Sequence, residues 1–336
     1  MKRSVWVLGA ALGAALIGGC TGGGGSQQAS APSAARETDE FKVALLTPGP
    51  VSDAGWSSMA YDGLKAIESE LGARINNQEA RGTQIRDAMR SYARQGYRLV
   101  FGHGFEYNEP AVEVAASFPN TVFVTSSGAR TAPNVGAFRF YLEQGFYLAG
   151  MTAALMSRSG VVAMIGGDDV PSIRSTFKAF RAGVEAAKPG TRVIETFTGN
   201  GSDQAAAMRA TLTAIDQGAD FVIHQANEAA PGVFGAARDR SVYAFGSNLD
   251  QNDHPSGVVL ASAVIVARPA FLDLARRVKE GSFRGEVVLM GMKEGAIEYR
   301  FNPDLESKVP AGVRAKIEQA KQDILDGRLV VPKDEF

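Results

Sequence analysis

Between residues 41 and 325, short apolar runs alternate with stretches of helical periodicity, and the pattern runs through twice. Each apolar run is only four to six residues long and ends at a turn signal, so it reads as a strand buried on both faces. Strands separated by helices build a parallel sheet from βαβ units. In the first pass, strand 41–46 leads through Thr47-Pro48-Gly49-Pro50 into a helix over 58–71, where Met59, Leu64, Ile67 and Leu71 recur on one face. Helix 83–95, strand 98–101, helix 109–117 and strand 121–125 follow. Residues 134–140 read as a strand crossing between lobes, and 142–156 as an Ala/Leu/Met-rich helix. The pattern then restarts, with strands 161–165, 192–196, 221–224 and 242–245 interleaved with helices 173–187, 203–217 and 233–239. Strand 257–265 and helix 269–280 are expected to return the chain to the first lobe, and a last helix covers 309–325.

Two such units describe a hinged pair of lobes with a cleft between them. A length of 336 residues, beyond the usual size of one core, agrees. The expected layout puts residues 41–135 and 265–336 in lobe 1 and 136–264 in lobe 2. Hydrophobic residues at 45% and charged residues at 21% are those of a globular protein. Lys+Arg 35 against Asp+Glu 36 nearly cancel, so no counterion-release term favours nucleic acid as a partner.

The N-terminus has another character. Met1-Lys2-Arg3 is a basic start, residues 5–17 form an apolar core too short to span a bilayer comfortably, and Ile17-Gly18-Gly19 precede Cys20. Residues 1–19 thus resemble a bacterial lipoprotein signal peptide, with Cys20 as the lipidated first residue of the mature chain. Cys20 is the only cysteine, and disulfide or metal sites need partners. Residues 20–40, rich in Gly, Ser, Ala and Gln, read as a flexible tether. The body is therefore expected in the cell envelope, held to a membrane by lipid and facing the periplasm or the extracellular side.

Several chemistries lack their residues. Gly102-His103-Gly104 and Gly166-Gly167-Asp168 follow strands, but neither continues as G-x-G-x-x-G, and no G-x-x-x-x-G-K-[ST] occurs. His103, His224 and His254 are widely separated, with no H-E-x-x-H or second cysteine for a metal, and no G-x-S-x-G elbow is present. His103 and His224 close strands and can face the cleft, though without convergent partners a hydrogen-bonded structural imidazole is the commoner outcome. No cofactor, metal or catalytic set is expected. The enzyme alternative, an extracytoplasmic hydrolase, rests only on Glu106, Asp168 and Asp169 near strand ends.

What recurs is a polar or aromatic cluster after each strand, at the carboxyl edge where open α/β sheets bind ligands. Asp53, Trp56 and Ser57 follow the first strand; Phe105, Glu106, Tyr107 and Asn108 follow 98–101. Gln225, Asn227 and Glu228 follow 221–224, and Ser247, Asn248 and Asp250 follow 242–245. Rings that stack and amides that bond directionally suit a flat, neutral ligand with hydroxyls or amines. Each residue also has a structural explanation: Asp53 as a helix cap, Trp56 as a staple, Phe105 as core.

The segments Pro50-Val-Ser-Asp-Ala-Gly-Trp, Gly104-Phe-Glu-Tyr-Asn, Gln144-Gly-Phe-Tyr-Leu-Ala-Gly, Gly166-Gly-Asp-Asp-Val-Pro and Gly246-Ser-Asn-Leu-Asp-Gln together resemble the basic membrane protein family of ABC-transporter substrate-binding lipoproteins, which includes purine nucleoside receptors. The resemblance runs over residues 41–332 and implies a periplasmic-binding-protein type I fold of two Rossmann-like lobes with parallel sheets joined by a hinge. By position it implies Trp56 as the base-stacking ring, Asp53 and the Tyr107-Asn108 region as polar base contacts, and Asp250 as the acid that reads ribose hydroxyls. The chain departs from the family pattern at Ser57, at the glycines of 198–203 where a second ring is expected, and at Ile265 where a lysine is expected. The resulting expectation is a monomeric, lipid-anchored solute-binding protein, not an enzyme, that captures a nucleoside or nucleobase through Asp53, Trp56, Ser57, Phe105, Tyr107, Asn108, Gln225, Asn227 and Asp250 for an ABC transporter permease. A ligand sensor signalling to a membrane receptor, or a receptor for a sugar or other small polar solute, are its alternatives.

Overall fold

In the computed structural model, which describes residues 40–53 and 55–335, the alternation resolves into two six-stranded sheets. The first pass gives β1 (Lys42–Thr47), α1 (Trp56–Leu71), β2 (Arg74–Glu79), α2 (Gln84–Arg94), β3 (Leu99–His103), α3 (Asn108–Ala115), β4 (Val122–Ser126) and β5 (Val135–Phe140). After α4 (Glu143–Met156), the second gives β6 (Val161–Gly166), α5 (Pro171–Ala187), β7 (Arg192–Phe197), α6 (Gln204–Asp216), β8 (Phe221–Gln225), α7 (Ala230–Asp239), β9 (Tyr243–Asn248) and β10 (Val259–Ile265). The chain closes with α8 (Ala267–Glu280), β11 (Val287–Met290), β12 (Ile297–Phe301) and α9 (Ala311–Leu325).

The strand order is β2-β1-β3-β4-β5-β11 in one sheet and β7-β6-β8-β9-β10-β12 in the other, all parallel except β12, which runs antiparallel to β10. Each is a doubly wound sheet in which β1 or β6 lies between the two strands that follow it in sequence, so the winding reverses beside that strand. In such open sheets ligands sit in the crevice at the carboxyl ends there. The central strands β1, β3, β8 and β10 are buried along nearly their whole length, as the unbroken apolar runs required.

Three assignments differ from the sequence expectation. Residues 135–140 do not cross between lobes: all six are buried, and β5 pairs with β4 and β11 inside the first sheet. The crossing follows at Tyr141 and Leu142. Residues 297–301 belong to the second lobe, because β12 bonds along the edge of β10. So does the last helix, since α9 packs on α4, which lies against β10, β12 and α5. β2 escaped the sequence reading because Arg-Ile-Asn-Asn-Gln-Glu is polar; it is an exposed edge strand in register with β1.

The three connections between lobes are tied to one another. Tyr141 N donates to Met290 O at 2.8 Å, Met292 N to Gln144 Oε1 at 2.7 Å, and Val266 N to Ala296 O at 2.9 Å. The lobes are thus joined by a bundle of crossings rather than a single strand. Among the described residues, no helix is long and apolar enough to cross a membrane. Cys20 and the 1–19 leader lie outside the described residues.

Candidate functional site

A cavity of about 570 Å³ lies between the sheets, walled by segments that leave the carboxyl ends of the strands of both lobes. From the first lobe come Asp53, Trp56 and Ser57 after β1, Arg81 after β2, Phe105 and Glu106 after β3, and Ser127 after β4. From the second come Asp168 after β6, Asn200 after β7, Gln225, Asn227 and Glu228 at and after β8, and Asn248 ending β9. Phe140, Leu142 and Ile265, at the crossings, supply an apolar side.

Trp56 opens α1. One face of its indole lies on the His103 imidazole, with ring centres 3.9 Å apart and planes 22° from parallel, and Phe140 meets it edge-on at 6.4 Å. The indole Nε1 donates to His103 O at 3.3 Å. The indole is half-buried and lines the cavity. His103 is the support. Its Nε2 is 3.0 Å from Trp56 O, a pure acceptor, so that nitrogen carries the proton, and Nδ1 accepts from Ser126 Oγ at 2.8 Å. Burial pushes the imidazole down to about 3, which keeps it neutral.

The loop before α1 is pinned by Asp53, whose carboxylate accepts from Gly55 N at 3.0 Å, Ser57 N at 2.7 Å and Ser58 N at 2.9 Å. These are otherwise unpaired amides at a helix start, so Asp53 acts as the cap and aims Trp56. Its oxygens are largely consumed by that role. Ser57 is buried at the cavity wall, and Phe105 is 48% exposed there.

Charge in the cavity is unevenly satisfied. Glu143 is buried, ion-paired to Arg139 and bonded by Ser175 Oγ; burial nonetheless holds its carboxyl above the usual range. Glu106 opens to the cavity's water yet is enclosed by protein. Desolvation raises its carboxyl; Arg81 lowers it, and the charge of Asp168 across the cleft adds a smaller push upward. Arg81 itself sits 3.4 Å from Glu79. Among the described residues, no group of three His, Cys, Asp or Glu side chains could hold a metal ion.

Three residues named from the sequence lie outside the cavity lining. Tyr107 is fully buried, donates to Ala80 O at 2.7 Å and packs on Gly102, where an added Cβ would come within 2.5 Å of it. Asn108 fastens the loop after β4: Nδ2 donates to Thr125 Oγ1 and Arg130 O, and Oδ1 accepts from Arg130 N. Asp250 points to the surface, paired with Arg300 at 3.2 Å and accepting from Asn252 N. The strand end that Asp250 was taken to mark faces the cavity through Asn248, two residues earlier. His224 is buried beside Gln251 rather than in the cleft.

The residues that sequence reasoning missed include Arg81 and Ser127. Arg81 was hidden because the polar β2 was not recognised, which left its strand end unmarked. Ser127, Asn227 and Asn248 share a mark that no sequence pattern carries: φ of 79°, 43° and 68°. A left-handed backbone at a non-glycine residue costs of order 1–3 kcal/mol and concentrates at functional sites. Three of the four such residues among those described line this cavity.

The lobes are close to shut. A Cβ placed on Gly55, in the first lobe, would be 3.7 Å from Cα of Asn227 in the second.

The model of a family described as PnrA-like ABC transporter substrate-binding protein matches residues 41–335. A purine-binding protein of Brucella abortus is 28% identical over 301 residues, covering 88% of this chain and 85% of its own. An ABC transporter nucleoside-binding protein of Lactococcus lactis is 26% identical, covering 98% and 99%. The solved structure of an ABC transporter solute-binding protein from Conexibacter woesei superposes with a TM-score of 0.73 at 25% identity, over 87% of this chain and 99% of that one. With the family match spanning both sheets and the cavity between them, the chain belongs to the PnrA-like ABC transporter substrate-binding proteins.

Proposed function

We propose that this protein captures a nucleoside or nucleobase outside the cytoplasm, tethered to a membrane through lipidated Cys20, and hands it as a monomer to the permease of an ABC importer. The observation that carries the ligand class is Trp56. A neutral imidazole backs one face of the indole, and the indole lines a cavity to which the second lobe brings the amides of Gln225, Asn227 and Asn248 beside Asp168 and Glu228. That is the arrangement a flat heterocycle needs, stacking on one lobe while its polar edge is read by the other. The names of the Brucella and Lactococcus relatives point the same way. Because ligand contacts come from both lobes, binding favours the closed state over the open one.

Calorimetry against nucleosides, nucleobases and sugars tests the reading. A heterocycle should give saturable heat at one site per chain. Heat from sugars alone, or from none of these, would remove the heterocycle. Recovering the bound compound chemically unchanged after long incubation separates capture from hydrolysis by the Glu106–Asp168 pair.

A further inference from the structure

Among the second-lobe residues that line the cavity, three amides have a polarity that specifies more than a heterocycle. Asn248 Nδ2 donates to Gln225 Oε1 at 3.4 Å and to Asn227 Oδ1 at 3.3 Å. This hub consumes one half of each of the three amides. The other halves, Gln225 Nε2, Asn227 Nδ2 and Asn248 Oδ1, have no hydrogen-bond partner among the described residues, and all three residues line the cavity. Gln225 is 7% and Asn248 3% exposed, so the cavity is the only medium into which their free groups can open. An unmet amide in a nearly buried place costs stability unless a partner fills it.

The three are also held still. Gln225 and Asn248 end β8 and β9, while Asn227 and Asn248 have φ of 43° and 68°. What they leave unpaired is two donor groups, on Gln225 and Asn227, and one acceptor on Asn248, the residue that bonds to both. The complementary edge is two acceptors around one donor, the O=C–NH–C=O of an imide.

We infer that Gln225, Asn227 and Asn248 select a heterocycle with an imide edge, the chemistry shared by uracil, thymine and xanthine and absent from adenine and cytosine. This inference rests on the heterocycle reading above and narrows it. A carbonyl on each side of the ligand's N–H takes the donors of Gln225 and Asn227, and the N–H meets Asn248 Oδ1. An amino group at either flank would set donor against donor. A site built to bond a polar group discriminates strongly against an analogue that leaves it unpaired.

The test is calorimetry of the full chain with uracil, thymine and xanthine against cytosine, adenine and 2,6-diaminopurine, together with 3-methyluracil, in which the imide N–H is lost. Imides should bind at least tenfold tighter than the amino-substituted bases, and methylation of the imide nitrogen should cost tenfold or more. Asn248→Asp, which accepts the left-handed backbone but cannot donate to the two flanking amides, should erase that preference. Tighter or equal binding of adenine, cytosine or 2,6-diaminopurine would overturn the inference and leave the heterocycle reading standing. The tightest binding by 2,6-diaminopurine would mean that all three amides present their opposite atoms. Unchanged preference in Asn248→Asp would also overturn it. Binding of no base at all would remove the broader reading and this one with it.

Discussion

At the scale of single residues, Asp53 and Trp56 divide one task. Asp53 holds three amides at the start of α1 and so positions the indole, while Trp56 lines the cavity and is the proposed platform. Removing the ring in Trp56→Ala should weaken heterocycle binding by roughly 1–3 kcal/mol, the range for stacking of a base on an aromatic side chain, as measured by calorimetry. Asp53→Ala should instead lower folding stability by about 1–2 kcal/mol through the lost cap, with Asp53→Asn closer to wild type because an acceptor remains. Chemical denaturation distinguishes the two. Trp56 and Asp53 were legible because a proline-glycine break followed by a polar residue and a large ring after a buried run is a local pattern. Tyr107, Asn108 and Asp250 lie outside the cavity lining because a side chain's direction beyond a strand end depends on turn geometry: Tyr107 folds back under β3, and β9 continues as far as Asn248 before it stops.

The imidazoles act at the same scale through pH. His103 is pushed down to about 3 and His224 to about 4, both by burial. A group with a depressed folded value binds its proton more readily when unfolded, so its contribution to stability is present at neutral pH and is lost as pH falls. Stability should therefore decline from about pH 6.5 downward, by up to about 1.4 kcal/mol per pH unit for each imidazole. Denaturant titrations of His103→Gln between pH 7 and pH 4 should show a shallower decline than wild type, and an identical slope would refute this role.

At the scale of elements, α4 bears most on the site. It begins at the crossing with Glu143, which lines the cavity, and is apolar all round because it is buried between α5, α9 and the second sheet. Its approach to α5 depends on two glycines. A Cβ on Gly150 would lie 2.1 Å from Phe180 O, and one on Gly183 2.0 Å from Tyr147 O. Backbone cannot yield as a side chain can, so Gly150→Ala should destabilise by about 1–3 kcal/mol or more, read as a lowered denaturation midpoint. The strongly periodic elements were legible in the sequence because tertiary structure asks of them what the pattern offers. β2, β11 and β12 were not, since they are short edge strands held by pairing to a neighbour rather than by burial of an apolar run.

At the scale of the whole molecule, twofold repetition of one winding was visible from the alternation, and so was a cleft between the repeats. The membership of β5, β12 and α9 was not, because lobe membership after each crossing depends on which sheet edge is open, a property of the assembled fold. On the proposed function closure is the motion that captures the ligand, and Gly55 lies against Asn227 of the other lobe. Gly55→Leu adds bulk against Asn227 without forcing a left-handed backbone, so it should resist closure. Affinity should fall by about tenfold or more, as expected when the binding-competent state is less populated. Small-angle scattering should then show no compaction on adding ligand.

The chain holds two tryptophans, Trp6 in the leader and Trp56 in the cavity, so a protein beginning at residue 40 reports on Trp56 alone. Titrating its intrinsic fluorescence with the heterocycle that gives heat in calorimetry tests directly whether that ring is the ligand's platform. Saturable quenching with the calorimetric affinity is the predicted result. Full binding heat with unchanged emission would contradict it.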